Sequence, residues 1–309
     1  MEKIFKYKDK VIKYLGVLLV CIGVLGLVFS LFGENITSQK KESNKTHLLC
    51  IGVDKFEIMS EREQVYNSIG QADGIFLITI DETKKTVDIV AVPRDTIVTI
   101  EKYYSNMEYM GEEEAQICLQ YAYADGLENS CELMVDRVEE LFEGVKIDNY
   151  VAINMASVIE INTVIGGVDV IVNNADTAQK MGVEVGESVH LNWENISLYL
   201  QSRDKAEAQS AYGRMERLKD YVKAFIPRAL EAVKENPAII GEVMTVLGAN
   251  LVTDLDADET ASLAMVLSDL SAENITYCTL EGEVIMGEDG YEEFYPDSAK
   301  LEKIIQQIK

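Results

Sequence analysis

The chain has 309 residues, with 28 lysines and arginines against 53 aspartates and glutamates, and a formal net charge of −25. Non-specific nucleic-acid binding needs a basic face, so this charge argues against a nucleic-acid partner. The two histidines, His47 and His190, are too few for a His-rich metal site and argue against a His-based triad. An apolar content of 48% is ordinary for a globular protein with a sizeable core.

The N-terminus has the pattern of a membrane anchor. Residues 1–14 carry five lysines, and residues 15–33 carry no charge, which is long enough for one transmembrane helix. Because a lysine-rich flank stays in the cytoplasm, we expect a single-pass cell-membrane protein whose main domain is extracellular. A cleaved signal peptide is the alternative, although no small-x-small site closes the run. Residues 34–46 are polar and predict an extracellular stalk.

Alternating apolar runs and helical patterns fill the rest of the chain. Strands are predicted at 47–54, 73–81, 86–92, 146–154 and 274–280, with a β-rich run at 96–100 and a strand after the Gly-Gly turn within 155–172. Helices are predicted at 112–124, 129–142, the start of 155–172, 194–203, 212–235, 238–248, 257–271 and 297–308. Pro227 should kink its helix. This alternation predicts an α/β protein, a three-layer α/β/α sandwich with a central mixed sheet.

Cys118 and Cys131 flank a short loop. Outside the cell an oxidising environment permits a disulfide between them, and we expect that bond. Two free buried thiols are the competing interpretation. Cys50 and Cys278 lie in strand-like runs and are expected in the core.

Three charged residues stand at the ends or starts of predicted strands, and ligands bind at the carboxyl ends of strands in open α/β sheets. Pro93 stops the ladder, so Arg94 leaves the sheet at a fixed point. Asp54 and Asp73 could share a divalent cation, because hard oxygen ligands suit Mg²⁺ held partly by a substrate phosphate. The alternatives are a turn or cap role for each aspartate, and an ion pair with Asp95 or another carboxylate for Arg94.

A second cluster of arginines follows in the segment 198–225. Arg203 ends a predicted helix, and Arg214 and Arg217 share one face at the start of the next. Gly213 permits close backbone approach there. Helix N-termini attract phosphate and guanidinium groups bind it bidentately, so the cluster favours an oxyanion site. A solvated face bridging to nearby carboxylates is the alternative.

With these residues, the chain resembles the LytR-CpsA-Psr family of envelope phosphotransferases over residues 47–235. A C-terminal α/β extension, 236–309, is expected to pack on the same domain. The resemblance rests on the stretches GVD (52–54), ADG (72–74, where the family usually reads Ala-Asp-Thr), VPRDT (92–96), QYAYADG (120–126), INTVIGGVDV (161–170) and the arginines of 203–217.

The resemblance implies transfer of a glycopolymer from a polyprenyl-pyrophosphate carrier onto peptidoglycan in cell-wall biogenesis. Asp54 and Asp73 would surround a metal, Mg²⁺ or Mn²⁺, with Asp73 and Arg94 catalytic. The polyprenyl tail would lie in an apolar tunnel between sheet and helices. The pyrophosphate would be held by Arg94, Arg203, Arg214 and Arg217.

Three departures from the family pattern weaken that expectation. Gln201 stands where the family commonly has arginine, Ala211 where it often has aspartate, and Leu218 where it commonly has glutamine. Each lost charge-assisted bond to phosphate is worth about 1.5–3 kcal/mol. We therefore weigh an active or weakened transferase against a non-catalytic binding protein of the same fold, and against an envelope regulatory or structural protein.

Overall fold

The structure is a computed structural model that describes residues 45–59, 69–104, 106–202, 210–248, 250–256, 258–260, 262–263 and 272–309. Its strands are β1 (Lys45–Val53), β2 (Ala72–Asp81), β3 (Thr86–Ala91), β4 (Ile97–Tyr103), β5 (Tyr109–Gln116), β6 (Asn149–Asn154), β7 (Val168–Val172), β8 (Glu187–Leu191), β9 (Leu251–Thr253), β10 (Ile275–Thr279), β11 (Gly282–Met286) and β12 (Glu292–Pro296). Its helices are α1 (Cys118–Ala122), α2 (Glu128–Leu141), α3 (Met155–Val164), α4 (Ala175–Met181), α5 (Ile196–Gln201), α6 (Ser210–Glu235), α7 (Ile239–Leu247) and α8 (Ser298–Ile308), with a 3-10 helix at Ala272–Asn274.

A mixed sheet forms the centre of the molecule, as predicted. Its strand order is β10-β3-β2-β1-β6-β9. Strands β1 and β6 are parallel, as are β3 and β10, and the other neighbours are antiparallel. The segment 236–309 supplies both edge strands, β9 and β10, so the C-terminal part of the chain completes this sheet.

Both faces of the sheet are buried under helices. Because side chains alternate along a strand, Leu48 and Cys50 of β1 enter one hydrophobic cluster while Leu49 and Ile51 enter another. Helices α3, α6 and α7 cover the first face, and α1, α2 and α8 cover the second. Each fully buried large apolar side chain contributes about 1.5–3 kcal/mol, so the two clusters hold the three layers together.

The predicted helix over 112–124 is wrong in its first half. Residues Tyr109–Gln116 form β5, an antiparallel partner of β4, and only Cys118–Ala122 are helical. The glutamates of this stretch favour helix locally, but pairing with β4 overrides that preference. Their exposed charges also suit an edge strand, because they discourage pairing with another chain. Helix α6 runs through Pro227 from Ser210 to Glu235.

The predicted disulfide is also wrong, because Cys118 and Cys131 are free. Cys118 lies on α1, where its Sγ accepts from Arg94 at 3.0 Å. Cys131 lies on α2 within the second hydrophobic cluster. Hydrogen bonds close the loop between the two helices instead: Ser130 Oγ donates to the Tyr121 carbonyl and accepts from the Gly126 amide, both at 2.8 Å.

The predicted cytoplasmic segment 1–14, anchor 15–33 and most of the stalk 34–46 lie outside the described residues, as does most of the predicted helix 257–271. Among the helices that the structure does describe, none combines the length and the apolar character that a membrane crossing requires.

Candidate active site

The carboxyl end of β1 and the start of β2 bring the two predicted aspartates together. The Gln71 carbonyl accepts from the amides of Asp54 at 2.9 Å and Asp73 at 3.0 Å. One peptide group therefore fixes the backbone on both sides of the site. After β3, Thr96 closes a turn onto the Pro93 carbonyl through its amide, at 3.0 Å, and its hydroxyl, at 2.6 Å. This turn holds Arg94 at the sheet end, as the proline predicts.

Asp73 lies between two arginines. Its Oδ1 accepts from Arg94 Nη1 and its Oδ2 accepts from Arg214 Nη1 at 2.7 Å. All three side chains are only 10–12% exposed. Within the described residues, Arg214 Nη2 is buried without a hydrogen-bond partner. Because an unpaired buried donor is unfavourable, this N–H group is suited to an anionic ligand.

Asp95, Gln71 and Cys118 complete the surroundings of Arg94. Its Nε lies 3.5 Å from Asp95 Oδ1, which is the ion pair considered above as the alternative role for this arginine. Its Nη2 donates to Gln71 Oε1 and to Cys118 Sγ. Burial raises the pKa of the Cys118 thiol to about 12, although the neighbouring Arg94 charge opposes the shift. Cys118 is therefore a neutral thiol at physiological pH. Sequence reasoning missed the roles of Gln71 and Cys118, since neither residue stands in a recognisable motif.

Asp54 is the exposed member of the group and accepts from Gln201 Nε2 at 2.9 Å. Protein atoms around it exclude part of its hydration, and this desolvation raises its pKa. The charge on Asp73 raises that pKa further, while Arg214, Arg94 and the Gln201 hydrogen bond oppose the shift. Two neighbouring carboxylates thus share a site where a positive ligand would be favourable.

Arg217 has a different position from the one predicted. It is buried, and its guanidinium donates to the backbone carbonyls of Tyr199, at 3.0 Å, and Ser202. It therefore holds the end of α5 in place and with it Gln201, and it does not line the cavity described below. Burial lowers the pKa of its side chain. Arg203 lies outside the described residues, as does the side chain of Ala211.

An apolar cavity of about 850 Å³, including its open mouth, extends from these charges. It lies between β1, β2 and β6 on one side and α3, α5 and α6 on the other. This is where the resemblance places a tunnel for the polyprenyl tail. The lining residues are Cys50, Ile51, Gly52, Val53, Asp73, Gly74, Phe76, Arg94, Ile153, Asn154, Met155, Val158, Leu200, Gln201, Arg214, Met215, Leu218, Tyr221 and Val222.

The part of the chain that the structure describes offers few ligands to a metal. The described residues contain no group of three or more histidine, cysteine, aspartate or glutamate side chains that could hold an ion. Mg²⁺ characteristically takes one or two carboxylates and completes its shell with water and substrate phosphates. Asp54 and Asp73 fit that pattern, provided that Asp73 is released from its arginines.

The sequence profile described as the LytR_cpsA_psr family matches residues 32–309. The chain belongs to this family. Among curated LytR_cpsA_psr-like relatives, the polyisoprenyl-teichoic acid–peptidoglycan teichoic acid transferase TagV of Bacillus subtilis is 24% identical over 270 residues, which is 85% of this chain. The match spans only 63% of TagV. The transferase TagU of Oceanobacillus iheyensis is 26% identical over 250 residues, covering 81% of this chain and 71% of TagU.

Solved structures share the LytR_cpsA_psr fold. The crystal structure of Bacillus subtilis TagV superposes with a TM-score of 0.62 at 22% identity, covering 87% of this chain and 97% of TagV. The protein gbs0355 of Streptococcus agalactiae gives a TM-score of 0.65 at 20% identity, covering 86% of this chain and 87% of that one. The structure of TagT bound to LIIa-WTA gives a TM-score of 0.62 at 18% identity, covering 89% of this chain and 93% of TagT. At these identities the likeness establishes the fold.

Proposed function

We propose that this protein is a phosphotransferase that moves a glycopolymer from a polyprenyl-pyrophosphate carrier onto peptidoglycan. We further propose that residues 15–33 anchor it in the cell membrane with the main domain outside. The observation that carries the proposal is Asp73 held between Arg94 and Arg214 at the mouth of an apolar cavity. The names of TagV and TagU support the same class of reaction.

In the proposed reaction, an acceptor hydroxyl oxygen bonds to the phosphorus next to the sugar. The bond from that phosphorus to the bridging oxygen breaks, the lipid leaves as a monophosphate with the electron pair of that bond, and the hydroxyl proton passes to solvent water. Such transfers depend chiefly on positioning and charge stabilisation. Arg94 and Arg214 would neutralise the pyrophosphate, while the apolar cavity would hold the lipid chain.

The pyrophosphate would compete with Asp73 for the same guanidinium groups. Its arrival at Arg94 and Arg214 would release the Asp73 oxygens towards Asp54. The two aspartates would then hold Mg²⁺ (or Mn²⁺), with water and phosphate oxygens completing its shell. When bound, this ion would offset charge that develops on the phosphates. Before the lipid binds, Asp73 would pair with both arginines, so that no buried charge is left without a partner.

A second candidate is binding of the pyrophosphate-linked glycan without turnover. Two observations favour it: both oxygens of Asp73 are engaged by arginines, and the neutral Gln201 is the partner of Asp54. If the arginines never release Asp73, the site would still bind an anion but would lack a metal.

The test is transfer in vitro from a synthetic polyprenyl-pyrophosphate glycan to peptidoglycan oligomers, with Mg²⁺ present. Arg214→Ala should weaken lipid binding by about tenfold or more and reduce transfer. Arg228→Ala is the control, because it removes an arginine of α6 that pairs with Glu231 away from the cavity. Asp73→Ala should abolish transfer with a smaller loss of binding, because the lost metal ligand is partly offset by the removal of a competitor for Arg94 and Arg214.

Restoring the family-like residues separates the two candidates. Gln201→Arg with Leu218→Gln should raise turnover if the natural protein is a weakened enzyme. If the natural protein and this double variant both bind the lipid tightly and neither transfers, the binding function replaces the transferase.

A further inference from the structure

Arg217 is a buried cation whose described partners are neutral. It is only 7% exposed, and its guanidinium donates to the carbonyls of Tyr199 and Ser202. Among the described residues, no carboxylate lies within ion-pair distance of it. A buried charge without an opposite charge beside it is unfavourable, and an apolar side chain of similar size would fill the same space without that penalty. The two carbonyl contacts therefore have to account for an arginine at this position.

Both carbonyls belong to the end of α5 and stand on either side of Gln201. The last carbonyls of a helix have no partner within it, and an arginine side chain near a helix C-terminus satisfies them well. Helix α5 has six residues and no side-chain hydrogen bond at its N-cap, and a helix this short is not stable by itself. Its last turn therefore depends on contacts from the rest of the fold, and Arg217 supplies two of them.

Ser202 is held from a second side as well. It leaves the helix with φ −56° and ψ 127°, and its hydroxyl donates to Asp176 Oδ2 of α4 at 3.3 Å. Asp176 is itself fixed by Lys180, at 2.7 Å. The residue directly after Gln201 thus has its carbonyl bound by Arg217 and its side chain bound by Asp176, which leaves the backbone next to Gln201 little freedom.

Gln201 is the residue of this segment whose side chain enters the site. It lines the cavity, and its Nε2 donates to Asp54 Oδ1 at 2.9 Å. Asp54 follows the end of β1 and is exposed, so its carboxylate would rotate freely without a partner. Gln201 therefore sets the orientation of this carboxylate, and the end of α5 sets the position of Gln201.

We propose that Arg217 is a positioning residue for metal binding, which acts through the end of α5 and Gln201 to orient Asp54 as a ligand. The inference rests on the proposed function, in which Asp54 and Asp73 hold Mg²⁺. Groups that hydrogen-bond to a ligating carboxylate orient it, and their loss typically weakens metal binding by about 10–100-fold. Arg217 does not line the cavity, so it would contact neither the phosphates nor the metal.

The experiment measures binding of farnesyl pyrophosphate to the full chain in detergent by calorimetry, once with Mg²⁺ and once with EDTA. The ratio of the two affinities measures the contribution of the metal. Arg217→Lys keeps the charge, but an ammonium group lacks the planar fork that reaches two carbonyls. It should lower the ratio about tenfold. The affinity in EDTA should stay the same, because Arg94 and Arg214 still hold the phosphates.

A double-mutant cycle tests whether Arg217 acts through Gln201. Gln201→Ala should lower the ratio by about the same factor as Arg217→Lys. The double variant should lower it no further, because both changes interrupt the same chain of contacts. Arg228→Lys is the matched control, since it changes another arginine of α6, one that pairs with Glu231 away from the cavity, and it should leave the ratio unchanged.

Ser202→Ala loosens the same backbone without touching the buried charge. It removes the hydrogen bond to Asp176 and leaves both carbonyl contacts of Arg217 in place. It should lower the ratio in the same direction as Arg217→Lys, by a smaller factor. Thermal melting of each variant shows whether the fold is intact, and Ser202→Ala decides the test if Arg217→Lys does not fold.

Three results would overturn the inference. An unchanged ratio in folded Arg217→Lys would show that the end of α5 does not affect the metal. Equal losses of affinity with Mg²⁺ and with EDTA would assign Arg217 to the phosphates or to packing. Additive losses in the double variant would show that Arg217 and Gln201 act separately. Natural protein that binds the probe equally with Mg²⁺ and EDTA, or does not bind it, would count against the proposed function itself.

Discussion

Arg94 is held by groups of three different kinds. Asp73 supplies charge, Gln71 supplies an amide oxygen, and Cys118 supplies a sulfur atom 3.0 Å from Nη2. A flexible arginine loses side-chain entropy when it is fixed, and these contacts remove that freedom before a ligand arrives. Because the thiol is neutral, Cys118 positions the guanidinium without competing for its charge.

Cys118→Ala should loosen Arg94 and raise the KM for the lipid substrate several-fold, with a smaller change in kcat. The reason is that the missing contact affects the position of a binding group and leaves the other charges in place. Cys118→Ser should recover part of the loss, since a hydroxyl can also accept from Nη2. Steady-state kinetics with purified protein measure both constants.

Cys131→Ala is the matched control, because this cysteine is equally buried but lies in the second hydrophobic cluster. It should lower stability by a similar amount and leave KM unchanged. Equal changes in KM for the two variants would mean that Cys118 acts only through packing.

Asp54 gives the site a pH-dependent effect on stability. Its pKa is raised on folding, chiefly by desolvation and then by Asp73. At a pH below 3.8, its usual pKa, the carboxyl is protonated in both the folded and the unfolded state. It then does not change the free energy of unfolding. As pH rises through the folded pKa, the folded state must hold an unfavourable charge and stability falls. The group is therefore destabilising at neutral pH.

Asp54→Asn should raise the melting temperature at about pH 7, and the gain should disappear towards about pH 3. Asp81→Asn should do the opposite at neutral pH, since hydrogen bonds and charge from Lys84 outweigh desolvation and lower the pKa of Asp81. Calorimetric melting across this pH range measures both. A gain for Asp54→Asn that persisted at about pH 3 would show that charge is not the cause.

At the scale of elements, the sequence predicted best where local pattern and tertiary packing agree. The apolar runs of β1, β2 and β3 match a buried strand and no other element, and α2 has one apolar face. The stretch Tyr109–Gln116 differs, because its glutamates favour helix and only pairing with β4 makes it a strand. The hairpin of β11 and β12 was not predicted from the sequence.

The candidate site shows the same division. Asp54 and Arg94 could be placed because each stands where an apolar run ends, Asp73 because it stands where one begins, and Arg214 because it belongs to an arginine cluster. Arg217 could not be separated from that cluster, since its carbonyl partners, Tyr199 and Ser202, are known only from the folded chain. A spacing of three residues predicts a shared helix face, and it does not reveal which side chain turns inward.

At the scale of the whole molecule, the stalk length and the direction of β1 are linked. Strand β1 begins at Lys45 and delivers Asp54 at its far end, about 30 Å away. An extended segment of residues 34–44 could reach about 36–40 Å. If residues 15–33 anchor the protein as proposed, a segment of this length would let β1 return towards the membrane. The cavity mouth could then meet a lipid that is still embedded in the bilayer.

That arrangement requires residues 15–33 to stay attached and the main domain to lie outside. Ser38→Cys should react with a membrane-impermeant thiol reagent on intact cells, whereas Tyr7→Cys should react only after lysis, because the lysines around it favour the cytoplasm. The natural protein is the background control: Cys50, Cys118 and Cys131 are buried, and Cys278, which is only partly buried, sets the background that Ser38→Cys must exceed. Intact mass should include residue 7, which a cleaved signal peptide would remove. Labelling of Ser38→Cys only after lysis would place the stalk, and with it the site, on the wrong side of the membrane for peptidoglycan.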